Sequence, residues 1–154
     1  MKVLMVCLGN ICRSPLAEGI LREKLRKRGV GAEVDSAGTA AYHVGEKPDK
    51  RSQEIANKHG IDITYQRARQ FTKEDFEHFD KIFVMDKHNY NDVLGMVTKP
   101  EDKTKVKMIL NVLDPGNNRG VPDPYYGGRD GFQIVYDMLD KACDIIVEEI
   151  DILK

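Results

Sequence analysis

Residues 6–18 read Val-Cys-Leu-Gly-Asn-Ile-Cys-Arg-Ser-Pro-Leu-Ala-Glu. Residues 3–6, just before the first cysteine, form an unbroken apolar run of the kind found in strands that are buried on both faces. Pro15 stands where the first turn of a helix is expected. This stretch therefore predicts a buried strand, a tight loop over residues 7–14 and a helix directly after the loop.

The first helix is predicted to run from about residue 15 to about residue 28. Ser14 is a residue type that caps helix N-termini, and Gly29 is a typical C-terminal stop. Apolar side chains recur on one face at steps of three and four residues, as expected of a helix packed on a sheet. They are Ala17, Ile20, Leu21 and Leu25.

Three later segments also have the composition of buried strands. They cover residues 32–36, 82–85 and part of 106–113. Strands that alternate with helices predict a three-layer, doubly wound α/β fold around a central parallel sheet of about four strands. With 154 residues, the chain is expected to form one domain over 1–154.

Three further helices are predicted between and after these strands. Residues 49–59 are followed by Gly60, and the sequence Thr-Lys-Glu-Asp from Thr72 resembles a capping box. Residues 132–153 carry apolar side chains at three- and four-residue steps, which predicts a long amphipathic helix. Cys143 lies within that apolar stripe and is expected to be a buried structural thiol.

Charge and cysteine content restrict the partners of the chain. There are 24 Lys and Arg against 25 Asp and Glu, a net charge of −1, which argues against a nucleic-acid coat protein. The charges are segregated, positive over residues 22–28 and negative over 144–151. An odd, small number of cysteines, three, and the lack of any apolar run of about 20 residues predict a cytoplasmic protein without membrane contact. A monomer or weak self-association is expected.

The loop after the first strand has the features of an oxyanion site. Free backbone N–H groups at a helix N-terminus attract anions, and Gly9 and Asn10 tolerate the left-handed backbone that lets such groups converge. The same positive potential stabilises a thiolate at Cys7. Arg13, six residues further on, adds a planar guanidinium that can bind two phosphate oxygens.

Residues 6–18 resemble the signature of the low-molecular-weight protein tyrosine phosphatases. Three more matches support the resemblance: Asp-Ser-Ala-Gly at 35–38, Ala-Arg-Gln at 68–70 and Asp-Pro-Tyr-Tyr-Gly at 123–127. Their order and spacing extend over essentially the whole chain. The resemblance implies hydrolysis of phosphotyrosine in proteins, or of small aryl phosphates, without metal or cofactor.

The resemblance also implies a role for individual residues. Cys7 would be the nucleophile that forms a phosphocysteine, Arg13 would bind phosphate, and Asp123 would be the general acid and then the general base. Ser14 would donate a hydrogen bond to the thiolate. The remaining loop positions implied to bind or support phosphate are Leu8, Gly9, Asn10, Ile11 and Cys12.

Further positions are implied to support the loop or to enclose the substrate. Asn10 would be tied to Ser36, and the cleft walls would be Tyr42, Tyr125, Tyr126 and the apolar Ile11. A related bacterial group that dephosphorylates arginine carries threonine at the position of Ile11. Some members have a histidine near Ala68 that bonds to the loop asparagine, whereas residues 65–67 are Tyr-Gln-Arg.

Cys12 could be a filler residue or could act in redox protection. We hypothesise that peroxide converts Cys7 to a sulfenic acid, which Cys12 captures as a reversible disulfide.

Two other functions compete with the phosphatase. An arsenate reductase would need more cysteines for its disulfide relay than Cys12 and Cys143. A phosphocarrier of a sugar-uptake system should lack a group such as Asp123 that activates water.

Overall fold

The computed structural model describes residues 1–153, including every side chain except those of Tyr126 and Arg129. Strands and helices alternate from the N-terminus onward. In chain order they are β1 (Lys2–Cys7), α1 (Arg13–Arg28), β2 (Glu33–Gly38), α2 (Lys50–Lys58), α3 (Asp75–His78), β3 (Lys81–Val84), α4 (Lys87–Leu94), β4 (Val106–Met108) and α5 (Arg129–Leu153). Short 3₁₀ turns cover Pro100–Lys105, Ile109–Val112 and Pro124–Tyr126.

The four strands form one parallel sheet in the order β2-β1-β3-β4. In the central strand, Met5 pairs with Ser36 on one side and with Phe83 on the other. Alternate β1 side chains enter two separate cores, with Val3 and Met5 facing α1 and α5, and Leu4 and Val6 facing α3 and α4. The prediction of a doubly wound α/β fold is confirmed.

Ser14 is not the N-cap of α1, so that part of the helix prediction is wrong. The helix begins at Arg13, and Cys12 occupies the cap position without a capping side-chain hydrogen bond. The Ser14 hydroxyl is fully buried and lies 3.0 Å from Cys7 Sγ. Because the hydroxyl contacts this sulfur inside the protein, it does not cap the helix. Gly29 ends the helix in a left-handed conformation, as predicted.

Several other boundaries differ from the sequence prediction, and one helix was missed. The strand expected within residues 106–113 is only three residues long, because the chain turns into 3₁₀ structure at Ile109. A 3₁₀ turn, Pro100–Lys105, precedes this strand. The short helix after Thr72 starts only at Asp75, whose carboxylate accepts a hydrogen bond from the Thr72 N–H. Helix α4 had not been predicted.

The segregated charges of the sequence meet where α1 packs on α5. Lys24 lies 2.9 Å from Asp140 and 2.7 Å from Asp144, and Arg28 lies 3.7 Å from Asp151. These ion pairs are on the rim of an apolar contact in which Cys143 is fully buried, as expected.

No helix within residues 1–153 is long and apolar enough to cross a membrane.

Replacing Leu139 by alanine should lower the free energy of unfolding by about 2–5 kcal/mol, because the side chain is fully buried between α5 and the sheet. Ile134 lies on the same helix with half of its surface exposed. Ile134→Ala should therefore cost less than about 1 kcal/mol. Urea unfolding of both variants measures the difference, and equal losses would contradict the packing described here.

Candidate active site

The predicted site residues meet at the carboxyl ends of the strands, where α/β sheets bind their ligands. Cys7 ends β1 and Arg13 begins α1, on either side of the loop that joins them, while Asp86 follows β3. Asp123 comes from the segment that precedes the turn Pro124–Tyr126. The sheet order puts β1 and β3 side by side, so residues distant in sequence become neighbours.

Cys7 lies at the base of the loop and is almost completely buried. Its Sγ atom accepts a hydrogen bond from the Asn10 N–H at 3.3 Å and lies 3.0 Å from the Ser14 hydroxyl. Both groups can act as hydrogen-bond donors to the sulfur. The surroundings of Cys7 are therefore suited to a sulfur nucleophile.

The shape of the loop is maintained by Asn10, whose backbone is left-handed with φ 59°. Its side-chain nitrogen donates to Ser14 Oγ at 2.8 Å and to Ser36 Oγ at 3.0 Å. Its side-chain oxygen accepts the backbone N–H of Arg69 at 3.0 Å. This main-chain contact supports Asn10 in a chain that has no histidine at residues 65–67.

Behind Ser36 lies a buried carboxyl group that the sequence analysis did not identify. The Ser36 hydroxyl donates to Glu18 at 2.8 Å, and the Tyr65 hydroxyl donates to the second oxygen of Glu18 at 2.9 Å. Burial raises the pKa of Glu18, and burial together with Glu18 raises the pKa of Tyr65 to about 12. Glu18 lies on the predicted helix, but no sequence pattern indicated that it faces inward.

The motif at residues 35–38 also has a structural explanation. A Cβ atom on Gly38 would lie 2.7 Å from the backbone oxygen of Leu8, so only glycine allows β2 to approach the loop this closely. The guanidinium of Arg69 binds Asp35 and Asp75, which fixes the segment that supports Asn10.

Arg13 is 3% exposed and is held by groups from two other segments. One guanidinium nitrogen donates to Asp86 at 2.7 Å and to the Val121 carbonyl at 3.0 Å, and the other lies 3.7 Å from Asp123. Burial alone would lower the pKa of Arg13, but the negative charges of Cys7, Asp86 and Asp123 raise it. Asp86 was missed, although its position directly after a predicted strand was a signal.

These residues enclose a pocket of about 280 Å³. Nearly all the predicted loop and wall residues contribute to it, together with His43, which had not been predicted. The lining consists of Cys7, Leu8, Gly9, Ile11, Cys12, Arg13, Tyr42, His43, Asp123 and Tyr125. Asn10, Ser14 and Ser36 instead form the hydrogen-bonded support described above. The predicted wall residue Tyr126 has a side chain outside the described residues.

His43 and Cys12 add two features to the pocket wall. His43 Nδ1 lies 2.5 Å from Glu46 Oε2, which orients the imidazole at the pocket mouth. Burial, with the nearby charges of Asp49 and Cys7, raises the pKa of Cys12 to about 12. Cys12 is therefore a neutral thiol at physiological pH.

Comparison with known proteins identifies the class of this chain. Residues 2–152 match the family model described as low molecular weight phosphotyrosine protein phosphatase. The low molecular weight phosphotyrosine protein phosphatase of Schizosaccharomyces pombe is 44% identical over 138 residues, covering 88% of this chain and 87% of the relative.

Solved structures share the fold of this chain over nearly its whole length. A protein tyrosine phosphatase of Entamoeba histolytica superposes with a TM-score of 0.91 at 36% identity, covering 98% of this chain and 97% of that one. A Drosophila arginine phosphatase superposes with a TM-score of 0.90 at 33% identity, covering 97% of each chain.

The chain belongs to the low molecular weight phosphotyrosine protein phosphatase family. Its enzyme class is therefore that of the protein-tyrosine phosphatases, which are phosphoric monoester hydrolases.

Two substitutions of Asn10 separate backbone strain from lost hydrogen bonds. Asn10→Gly removes the side-chain bonds but tolerates φ 59°, whereas Asn10→Ala loses the bonds and is also strained by about 1–2 kcal/mol. Asn10→Ala should therefore be the less stable variant by about 1 kcal/mol in urea unfolding. Equal stability of the two variants would show that the left-handed backbone is not under strain.

Proposed function

We propose that this chain hydrolyses phosphotyrosine in proteins, and small aryl phosphate monoesters, through a phosphocysteine intermediate. The observation that carries the proposal is that Cys7, Arg13 and Asp123 line one pocket, although Asp123 is more than 100 residues away in sequence. A nucleophile, an anion-binding guanidinium and a proton donor are the three groups that this displacement needs.

In the first step the Cys7 thiolate attacks phosphorus. The S–P bond forms as the P–O bond to the phenolic oxygen breaks, and the Asp123 carboxyl gives its proton to that oxygen. The transition state carries its negative charge on the three equatorial phosphate oxygens. Arg13 and the backbone N–H groups of the loop stabilise that charge, and Asp86 holds the guanidinium in place.

In the second step water attacks the phosphocysteine. The Asp123 carboxylate accepts a proton from the water, the new P–O bond forms, and the S–P bond breaks to return the Cys7 thiolate and release phosphate. Ser14, 3.0 Å from the sulfur, donates a hydrogen bond to this leaving thiolate. The nucleophile, the phosphate-binding groups and the acid–base residue all belong to the chain, and we propose no metal or cofactor.

Selectivity for an aryl substrate would come from the pocket walls. Tyr42 and Tyr125 expose 80% and 40% of their surface at the pocket, where they can contact an aromatic ring. We assign the same role to Tyr126. Ile11 adds an apolar side chain to the wall. One structural relative is an arginine phosphatase, so phosphoarginine is the substrate against which selectivity should be measured.

The competing functions lack structural support. Cys143 is fully buried in the core, where it cannot take part in the disulfide relay of an arsenate reductase. Asp123 lines the pocket, which disfavours a phosphocarrier because a carboxylate there would promote hydrolysis.

We propose one catalytic domain over residues 1–154, located in the cytoplasm. We propose that it works as a monomer or with weak self-association, and without nucleic-acid or membrane partners.

Hydrolysis of p-nitrophenyl phosphate and of a phosphotyrosine peptide tests the mechanism. Cys7→Ser and Arg13→Ala should each lower kcat at least about a thousandfold, because they remove the nucleophile and the main stabiliser of phosphate charge. Asp123→Ala should lower kcat about 10²–10⁴-fold with the peptide. The loss should be smaller with p-nitrophenyl phosphate, because p-nitrophenolate leaves without a proton. Undiminished activity of Cys7→Ser would refute the mechanism.

We also propose that Cys12 protects the nucleophile from peroxide. Peroxide would oxidise the Cys7 thiolate to a sulfenic acid, and the Cys12 sulfur would then form the disulfide with loss of water. Both cysteines line the same pocket and are unpaired. Peptide mapping after peroxide treatment should find the Cys7–Cys12 link, and dithiothreitol should restore activity. The Cys12→Ser variant should be inactivated irreversibly; recovery equal to that of the wild type would refute this role.

A further inference from the structure

The start of α2 contacts the loop that carries the nucleophile. The Asp49 N–H donates to the Ile11 carbonyl at 2.8 Å, and the Ser52 hydroxyl donates to the Cys12 carbonyl at 3.3 Å. Asp49 is the N-cap of α2, so its backbone position is defined by the helix. The first turn of α2 is thus fixed relative to the phosphate-binding loop.

Arg51, in that same turn, is fastened to Asp49. Its guanidinium donates to both oxygens of the Asp49 carboxylate at 3.0 Å, and its backbone N–H donates to one of them at 2.9 Å. The hydrogen bond from Arg51 holds the pKa of Asp49 below its usual range. A bidentate pair of this kind defines the plane of the guanidinium as well as its position.

Arg51 also contacts the segment that carries the proposed general acid, and helix α5 beside it. A guanidinium nitrogen donates to the Tyr125 carbonyl at 3.2 Å. The guanidinium carbon lies 5.3 Å from the Tyr125 ring centre and 4.7 Å from that of Phe132, both within cation–π range. Two residues before Tyr125, the Asp123 carboxylate accepts the Tyr125 N–H at 3.0 Å.

We propose that Arg51 is a positioning residue that holds the acid loop, residues 123–126, at the distance from Cys7 that proton transfer to the leaving group requires. The connection runs from the Ile11 carbonyl through Asp49 and Arg51 to Tyr125, which is itself bonded to Asp123. This inference rests on the proposed function. It assigns a role to Asp49 and Arg51, two residues that the proposed mechanism does not use.

An arginine is required at this position because three contacts are made at once. The guanidinium binds a carboxylate with one edge, donates to a carbonyl with another, and stacks on aromatic rings with its face. A lysine ammonium cannot reproduce this planar geometry. If Arg51 is lost, the acid loop keeps its own turn and the Arg13–Asp123 ion pair but loses its connection to the first turn of α2.

The dependence of kcat/KM on the leaving group tests the proposal, because it reports the step in which Asp123 donates a proton. Arg51→Lys and Arg51→Met should lower kcat/KM a few-fold for p-nitrophenyl phosphate and about tenfold more for phenyl phosphate, whose leaving group needs the proton. Lys50→Met, at an exposed neighbouring position of α2, is the matched control and should retain wild-type values with both substrates.

A double variant separates positioning of Asp123 from a general structural role. In the Asp123→Ala background, Arg51→Met should add no further sensitivity to the leaving group, since there is no acid to misplace. Alkylation of Cys7 by iodoacetamide should proceed at the wild-type rate in Arg51→Met, because the nucleophile loop keeps its own hydrogen bonds.

Equal losses with the two substrates, or no loss at all, would overturn the role of Arg51 while leaving the phosphatase mechanism intact. Failure of the proposed function would be recognised by a different result, namely a Cys7→Ser variant that keeps its phosphatase activity. If Arg51→Met does not fold, Arg51→Lys and Phe132→Leu make the same test, since the first loses the planar contact with Tyr125 and the second removes one of the rings on which the guanidinium stacks.

Discussion

The active-site loop depends on the carboxamide of Asn10. The left-handed backbone at this residue costs about 1–2 kcal/mol in an L-amino acid, and it is maintained by hydrogen bonds to Ser14, Ser36 and the Arg69 backbone. These partners belong to α1, β2 and the segment before α3. The loop can hold its shape only when all three are assembled, so the geometry around Cys7 is a property of the folded domain.

A second constraint is the burial of Arg13. A guanidinium that is 3% exposed must be paired, and the carboxylates of Asp86 and Asp123 provide the compensating charge. The guanidinium and the N–H groups of the loop remain as donors that can bind a phosphate group in a chain of net charge −1. Global neutrality therefore excludes a broad basic surface, but it does not prevent strong local attraction of one phosphate group.

The proposed nucleophile and acid come from opposite ends of the chain, and their separation is controlled by contacts in the middle. The β1–β3 pairing brings Asp86 to Arg13. The first turn of α2 then links the nucleophile loop to the segment around Tyr125 through Asp49 and Arg51. Catalytic geometry in this fold thus relies on a helix that contributes no reacting atom.

The parallel α/β fold, the loop that follows the first strand and the family could all be predicted from the sequence, because apolar runs, glycine stops and short motifs are local signals. The sequence also singled out Cys7, Arg13 and Asp123. Long-range packing decides which other side chains face inward or across the site: Glu18 behind Ser36, Asp86 on Arg13, and His43 in the pocket wall. These contacts join distant segments, and local sequence patterns carry no information about such pairings.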